Sequence, residues 1–278
     1  MKKLPDLNIP LTVKALTLFI NRETEQSGFS DVVLGLSGGL DSAVVACLAA
    51  EALGPEHVTA LMLPYRKSSK NSLKDAEKLV EQTGIKHRLL DISTAVDAFS
   101  GESMIEAEKS QKLRLGNVMA RLRMTAVFDY STLTRSIVLG TSNKSEIALG
   151  YATLFGDIAS AFNPVGDLYK TELFSIAGYM GVPESIIEKP PSADLYEGQT
   201  DEGEIGYSYE MIDPLLYEMI ENRKDKKQCL EMGFDEKLVE FVTAKLYGTH
   251  FKRKIPLIAK LSPRTFGVDF HYAKDITI

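Results

Sequence analysis

The sequence predicts an α/β protein, an open parallel sheet with helices on both faces, followed by a helical C-terminal extension. Three observations carry this. Short apolar runs at residues 31–36, 58–63 and 136–141 have the length and β-branched content of buried strands. Strand and helix patterns alternate in units of about 30 residues, the spacing of parallel strands joined by crossover helices. The apolar runs do not alternate with polar residues, so both faces of the sheet are expected to be covered.

The elements follow in order. Residues 10–26 place Leu11, Val13, Leu16, Leu18 and Phe19 at helical spacing and stop at Ser27-Gly28, a leading helix. Strand 31–36 runs into Ser37-Gly38-Gly39-Leu40-Asp41-Ser42 and then an alanine-rich helix over 43–53, ended by Gly54-Pro55. Strand 58–63, a polar loop through Lys70, an amphipathic helix over 72–83 and a strand at 86–92 repeat the pattern. Helix dominates 101–134, where Met119, Leu122, Ala126, Tyr130 and Leu133 form one apolar face with Arg121 pointing away from it. Beyond Gly150, helix is expected near 169–180, 208–220 and 235–247. Residues 188–206, rich in Pro, Gly and acidic side chains, read as a mobile loop. The chain reads as one domain over 1–278: a core at about 10–185, the loop at 188–206 and a helical, partly basic end at 207–278.

The chain has 278 residues, 44% hydrophobic and 25% charged, ordinary for a folded globular protein. Its net charge of -6 disfavours nucleic acid as a partner, since that role leans on a basic face. Cys47 and Cys229 are too few for a disulfide framework and read as buried residues in a reducing compartment. His57, His87, His250 and His271 show no metal-ligand spacing. No apolar run approaches the ~20 residues of a membrane span, and the N-terminus lacks a secretory pattern, so a cytoplasmic protein without membrane contact is expected.

The chemistry begins in the glycine loop. A strand, small residues and a helix start form an anion site, because unpaired N–H groups and the helix dipole face the ligand. Asp41 beside phosphates makes sense if magnesium bridges them. A tight turn with an ordinary serine or aspartate cap is the structural alternative. The string is not a Walker A loop, which ends in Gly-Lys-Ser/Thr.

Gly35-Leu36-Ser37-Gly38-Gly39-Leu40-Asp41-Ser42 resembles the pyrophosphate-binding loop of the N-type ATP pyrophosphatases, enzymes that adenylate an oxygen and release pyrophosphate. Four further segments narrow the resemblance to the NAD synthetases: residues 116–124, 140–146 (Gly-Thr-Ser-Asn-Lys-Ser-Glu), 166–171 (Gly-Asp-Leu-Tyr-Lys-Thr) and 189–202. The resemblance implies a Rossmann-like sheet of the adenine nucleotide alpha hydrolase type. It also implies ATP-dependent amidation of deamido-NAD by ammonia. ATP would contact residues 35–42, Thr141, Lys170 and Ser192. Asp41 and Glu146 would hold Mg2+, and Asp41 and Lys170 would be the catalytic charges. Arg121, Asp157 and Lys252 would contact deamido-NAD, with Arg121 near a homodimer interface and the 188–206 loop closing over ATP. For Glu146 a capping role at its helix start is the structural alternative. Lys170 and the basic run Lys252-Arg253-Lys254 could equally be solvated surface charges.

The match departs at residues 153–164. Many ammonia-dependent members read Thr-Lys-Tyr-Gly-Asp there, with a second Asp a few residues on; here Leu154 replaces the lysine and Ala161 the second Asp. The wording Gly-Tyr-Ala-Thr-Leu-Phe-Gly-Asp resembles the synthetase half of glutamine-dependent enzymes. With only about 30 residues before the loop, no glutaminase domain is expected. Ammonia is then expected from solution or a separate glutaminase. Two rivals stand beside this reading: a tRNA sulfur-inserting relative, which would want catalytic cysteines and a basic face, and a relative that acts on another carboxylate or binds nucleotide without turnover.

Overall fold

The computed structural model describes residues 3–66, 68–101, 108–192, 200–253, 258–265 and 267–269. Helix α1 spans Ile9–Gln26, started by the Asn8 side chain, which accepts the Leu11 N–H at 3.2 Å, and by Pro10 in the first turn. Strand β1 is Asp31–Gly35, α2 Leu40–Leu53, β2 Val58–Met62, α3 Lys70–Thr83 and β3 Lys86–Leu89. Helices α4 (Ser93–Gly101) and α5 (Glu108–Thr134) precede β4 (Ser136–Val138). The four strands are parallel in the order β3-β2-β1-β4, with Val32 opposite Val58 on one side and Ile137 on the other. Leu139 continues β4 through a single parallel bridge to Phe162.

Alternation along β1 puts the helices on both faces. Val32 and Leu34 pack with α1 and α2, while Val33 turns to the other face and packs with Met119 and Val127 of α5. Burying side chains of this size contributes roughly 1.5–3 kcal/mol each, which is why both faces must be covered. Strand β3 is exposed along its length and carries Lys86 and Arg88, charges that suit an edge strand.

The remaining elements are α6 (Lys144–Leu149), α7 (Lys170–Tyr179), α8 (Glu184–Ile187), α9 (Asp201–Ile205), α10 (Tyr209–Ile220), α11 (Lys226–Glu231) and α12 (Glu236–Gly248). Helix α7 joins the main core through Leu173, Ile176 and Ala177. Helices α10–α12 form a second core with the end of α6, in which Ile212, Leu216, Val239 and Val242 meet Ala148 and Leu149. Cys47 and Cys229 are both free and buried.

Several expectations are corrected. Leu133 does not share the apolar face of α5; it is 76% exposed, and Val127 lies in the core instead. The stretch expected as one helix from 101 follows a separate helix, α4. The regular strands end at Leu89 and Val138 rather than at 92 and 141, although Leu90, Ile92 and Leu139 still donate to the carbonyls of Met62, Pro64 and Val33. The expected loop at 188–206 contains helix α9, with Thr200 accepting the Gly203 N–H at its start and Gly206 in the left-handed conformation at its end. Residues 193–199 of that stretch lie outside the described residues.

Candidate active site

Three helix N-termini converge beyond the carboxyl ends of the strands, the edge where open α/β sheets bind ligands. They border a cleft of about 1010 Å³ lined by the glycine loop, Thr141, Glu146, Lys170, Ser192 and Asp201.

The first terminus is that of α2. Gly38 has φ +73°, and a Cβ there would lie 2.0 Å from the Ser72 carbonyl oxygen, so the loop needs glycine at this point. Gly39 caps the helix and supplies no side chain, which leaves the first-turn N–H groups without a side-chain acceptor. The ordinary serine or aspartate cap is therefore absent. The serines instead shape the loop: Ser42 Oγ accepts the Ser37 N–H at 3.3 Å and donates to the Gly39 carbonyl at 3.1 Å. Lys189 fastens the loop from outside, donating to the Gly38 carbonyl at 3.1 Å, Ser72 Oγ at 3.0 Å and Asp75 at 2.9 Å. The result is a fixed backbone cradle at the positive end of a helix.

The second terminus, that of α6, carries a capping box. Asn143 Oδ1 accepts the Glu146 N–H at 2.9 Å, and Glu146 Oε2 accepts the Asn143 N–H at 3.2 Å. Glu146 thus does cap, yet only one of its oxygens is used. The other, Oε1, lies 3.7 Å from Lys170 Nζ. The Asn143 amide donates to Asp41 Oδ1 at 2.8 Å, tying α6 to α2.

The third terminus, α7, begins with Lys170, which is 2% exposed and ion-paired to Asp41 Oδ2. It is no surface lysine. Burial alone would lower its pKa, but Asp41, Glu146 and Asp201 outweigh burial and hold the ammonium above its ordinary value. Burial and the nearby Asp41 push the Glu146 carboxyl well above its ordinary range, with Lys170 opposing them. Asp201, 3% exposed on α9, adds a further carboxylate. Tyr209 faces the same group: its ring lies 5.8 Å from Lys170 Nζ, and its buried hydroxyl has no hydrogen-bond partner among the described residues. Burial first, then Glu146, Asp201 and Asp41, raise its phenol.

Converging carboxylates of this kind invite a hard cation. Among the described residues no set of three His, Cys, Asp or Glu side chains is arranged to hold one unaided. Asp41 and Glu146 fit a magnesium ion that also takes phosphate oxygens.

Asp157 lines the same cleft and accepts the Thr153 N–H at 2.6 Å. Arg121 and Lys252 stand apart from it. Arg121 is exposed and donates to the carbonyls of Leu154 at 3.2 Å and Asn117 at 3.4 Å. Lys252 donates to the carbonyls of Gly150 at 2.8 Å and Ala152 at 2.7 Å, and burial lowers its pKa. It borders a second pocket of about 410 Å³ with Phe128, Leu154, Phe155 and Ile158. Lys254 lies outside the described residues. The sequence reading gave no individual role to Asn143, Lys189, Asp201, Tyr209 or Asp213. Asn143 was legible as a capping box with Glu146; the others announce themselves only through packing.

A parallel sheet with a glycine loop at an uncapped helix start, and carboxylates gathered around a buried lysine at its carboxyl edge, has the form of a nucleotide-binding α/β protein. Within that class, this chain belongs to the NAD synthase family, whose model matches residues 12–256. The NH(3)-dependent NAD(+) synthetase of Chlorobaculum tepidum is 50% identical over 260 residues, 94% of this chain and 92% of the relative. The solved NH3-dependent NAD synthetase of Campylobacter jejuni matches with a TM-score of 0.76 at 36% identity, over 91% of this chain and 100% of that one. The NMN synthetase of Francisella tularensis matches with a TM-score of 0.79 at 33% identity, over 91% and 99% of the two chains.

Proposed function

We propose that this chain makes NAD by amidating the nicotinate carboxylate of deamido-NAD with ammonia, cleaving ATP to AMP and pyrophosphate. The observation that carries this reading is the buried Asp41–Lys170–Glu146 group beside the uncapped start of α2, inside a chain of this family. The ATP phosphates lie along residues 35–42, with Thr141 and Ser192 lining the same cleft. A carboxylate oxygen of deamido-NAD attacks the α-phosphorus, the bond to the leaving pyrophosphate breaks, and an acyl-adenylate forms. Ammonia then attacks the acyl carbon, AMP departs, and the extra proton is lost to water.

Lys170 faces the charge that builds up on the phosphates, a preorganised stabilisation in a buried setting. Magnesium bound by Asp41 and Glu146 would neutralise phosphate charge as a Lewis acid. Lys170, paired here with Asp41, is the cation that would face the phosphates beside it. No side-chain nucleophile is needed, and positioning supplies much of the rate.

Asp157 at the cleft, and Arg121 and Lys252 beyond it, are the contacts proposed for deamido-NAD. A homodimer would cover Phe128 and Leu133, apolar side chains open to solvent on the same helix, α5, that carries the exposed Arg121. A cytoplasmic location suits two free, buried cysteines. Leu154 and Ala161 favour one alternative, a shifted preference for the carboxylate substrate, as with the relative named for NMN.

The test is formation of NAD and AMP by the purified protein with magnesium-ATP, deamido-NAD and either ammonium or glutamine. Ammonium-driven NAD in equal amount to AMP, lost in Asp41→Ala, is expected. Turnover only with the mononucleotide acceptor would replace the substrate, and no AMP with any nicotinate carboxylate would overturn the reading.

A further inference from the structure

Helices α6 and α7 contribute Glu146 and Lys170 from their first turns, so the distance between these charges depends on how the two helix starts are held. Besides Asp41 of α2, a carboxylate of α10 reaches the first turns of both helices. Asp213, on α10, is 0% exposed. Its Oδ1 accepts from Ser145 Oγ at 2.6 Å. Its Oδ2 accepts from the Thr171 N–H at 2.9 Å and the Thr171 hydroxyl at 2.8 Å. Ser145 Oγ in turn accepts the Lys170 N–H at 2.9 Å. Ser145 and Thr171 are the immediate neighbours of Glu146 and Lys170, and every bond in this set joins different helices.

We propose that Asp213 is a positioning residue for the reaction: through Ser145 and Thr171 it clamps the N-termini of α6 and α7 so that Glu146 and Lys170 face the same phosphates. The inference rests on the function proposed above and extends it to a residue that touches neither ATP nor the second substrate. A fully buried carboxylate is unfavourable unless its lone pairs are used, and here three donors at two helix starts use them. Both helix dipoles also favour a negative charge at this point. An asparagine would keep the volume but offer one acceptor oxygen where the site uses two, and its NH2 would meet a donor. The strand edge alone does not fix Lys170, because some thirty residues of loop and helix separate it from β4. The Lys144 N–H donates to the Leu168 carbonyl at 2.8 Å and joins the two starts through backbone, and the clamp from α10 adds the side-chain constraint. It also gives the helical C-terminal part a task in the chemistry, since the second core holds α10 against α6.

Displacements on the order of 1 Å at such a group lower turnover by about 100-fold. The variants are Asp213→Asn, Thr171→Val and Thr171→Ser. In the first two, kcat falls roughly 10- to 100-fold, while KM for ATP stays within about threefold and amide exchange at Lys170 and Thr171 quickens. Thr171→Ser keeps both donors and stays near the parent protein; this pair decides the matter if Asp213→Asn fails to fold. Parent-like kcat in Thr171→Val, or equal losses in Thr171→Val and Thr171→Ser, overturns the clamp. Exchange at these two amides reads the clamp without turnover: unchanged exchange in both Asp213→Asn and Thr171→Val also overturns it, whereas absence of NAD from the parent protein overturns only the functional reading.

Discussion

The main cleft and the pocket beside Lys252 differ in how complete they are. In the main cleft the charged groups are buried or half-buried and held by partners: Lys170 by Asp41 and Glu146, Asp41 also by Asn143, and Lys189 by the glycine loop and Asp75. In the second pocket the cations are spent on backbone. Lys252 holds two carbonyls, Arg253 donates to the Ala148 carbonyl at 2.8 Å and to that of Leu246, and Phe155 stays 54% exposed with φ 57°. Buried polar groups need partners within the fold, so the first site must be preorganised to be stable at all. A surface pocket such as the one lined by Leu154 has no such requirement and tolerates changes in composition.

That contrast is tested most sharply by Lys170→Met. It leaves Asp41 and Glu146 facing each other without a cation, and kcat is expected to fall about 100- to 1000-fold. Lys252→Met, assayed in parallel, should act mainly on KM for deamido-NAD. Equal kcat losses in the two variants would erase the distinction between the sites.

A second test asks how tightly the core under the glycine loop is sealed. Burial, with a smaller contribution from Glu51, pushes the Cys47 thiol from 9.0 to about 11. The unfolded chain ionises this thiol above pH 9.0 while the folded chain keeps it protonated to about pH 11. The resulting stability is therefore fully present below pH 9.0 and is lost as pH rises toward 11. Denaturant titrations from pH 8 to 10.5 should show Cys47→Ala losing less stability with pH than the parent, by about 2 kcal/mol. Identical slopes would mean that water reaches Cys47.

The smallest expected effect is at the pocket that varies. Leu154→Lys should lower KM for deamido-NAD by about fivefold, ~1 kcal/mol, and leave KM for ATP alone. A change in KM for ATP of the same size would show that the two pockets are coupled.

Much of the cleft was legible in the sequence because its parts are local. A strand, two glycines and a helix start within a dozen residues determine the cradle whatever surrounds it, and Glu146 three residues after Asn143 is a capping box. Short helices such as α8, α9 and α11 were not read, since a helix of one or two turns has too few positions to show a period. Leu133 fits the helical period of α5, but the last turn meets β4 through Ser131 and Thr134 and leaves Leu133 facing solvent.

By itself the sequence determined the parallel sheet and the glycine loop between strand and helix, and it singled out Asp41, Glu146 and Lys170, which line one cleft. Only the tertiary structure decided that Lys170 is buried rather than solvated, that Asp201 and Tyr209 crowd the same carboxylates, and that Asp213 holds two helix starts together. The physical reason is that backbone conformation and helix capping depend on neighbours in sequence, whereas burial and the partner of a charge depend on which distant helices pack against it.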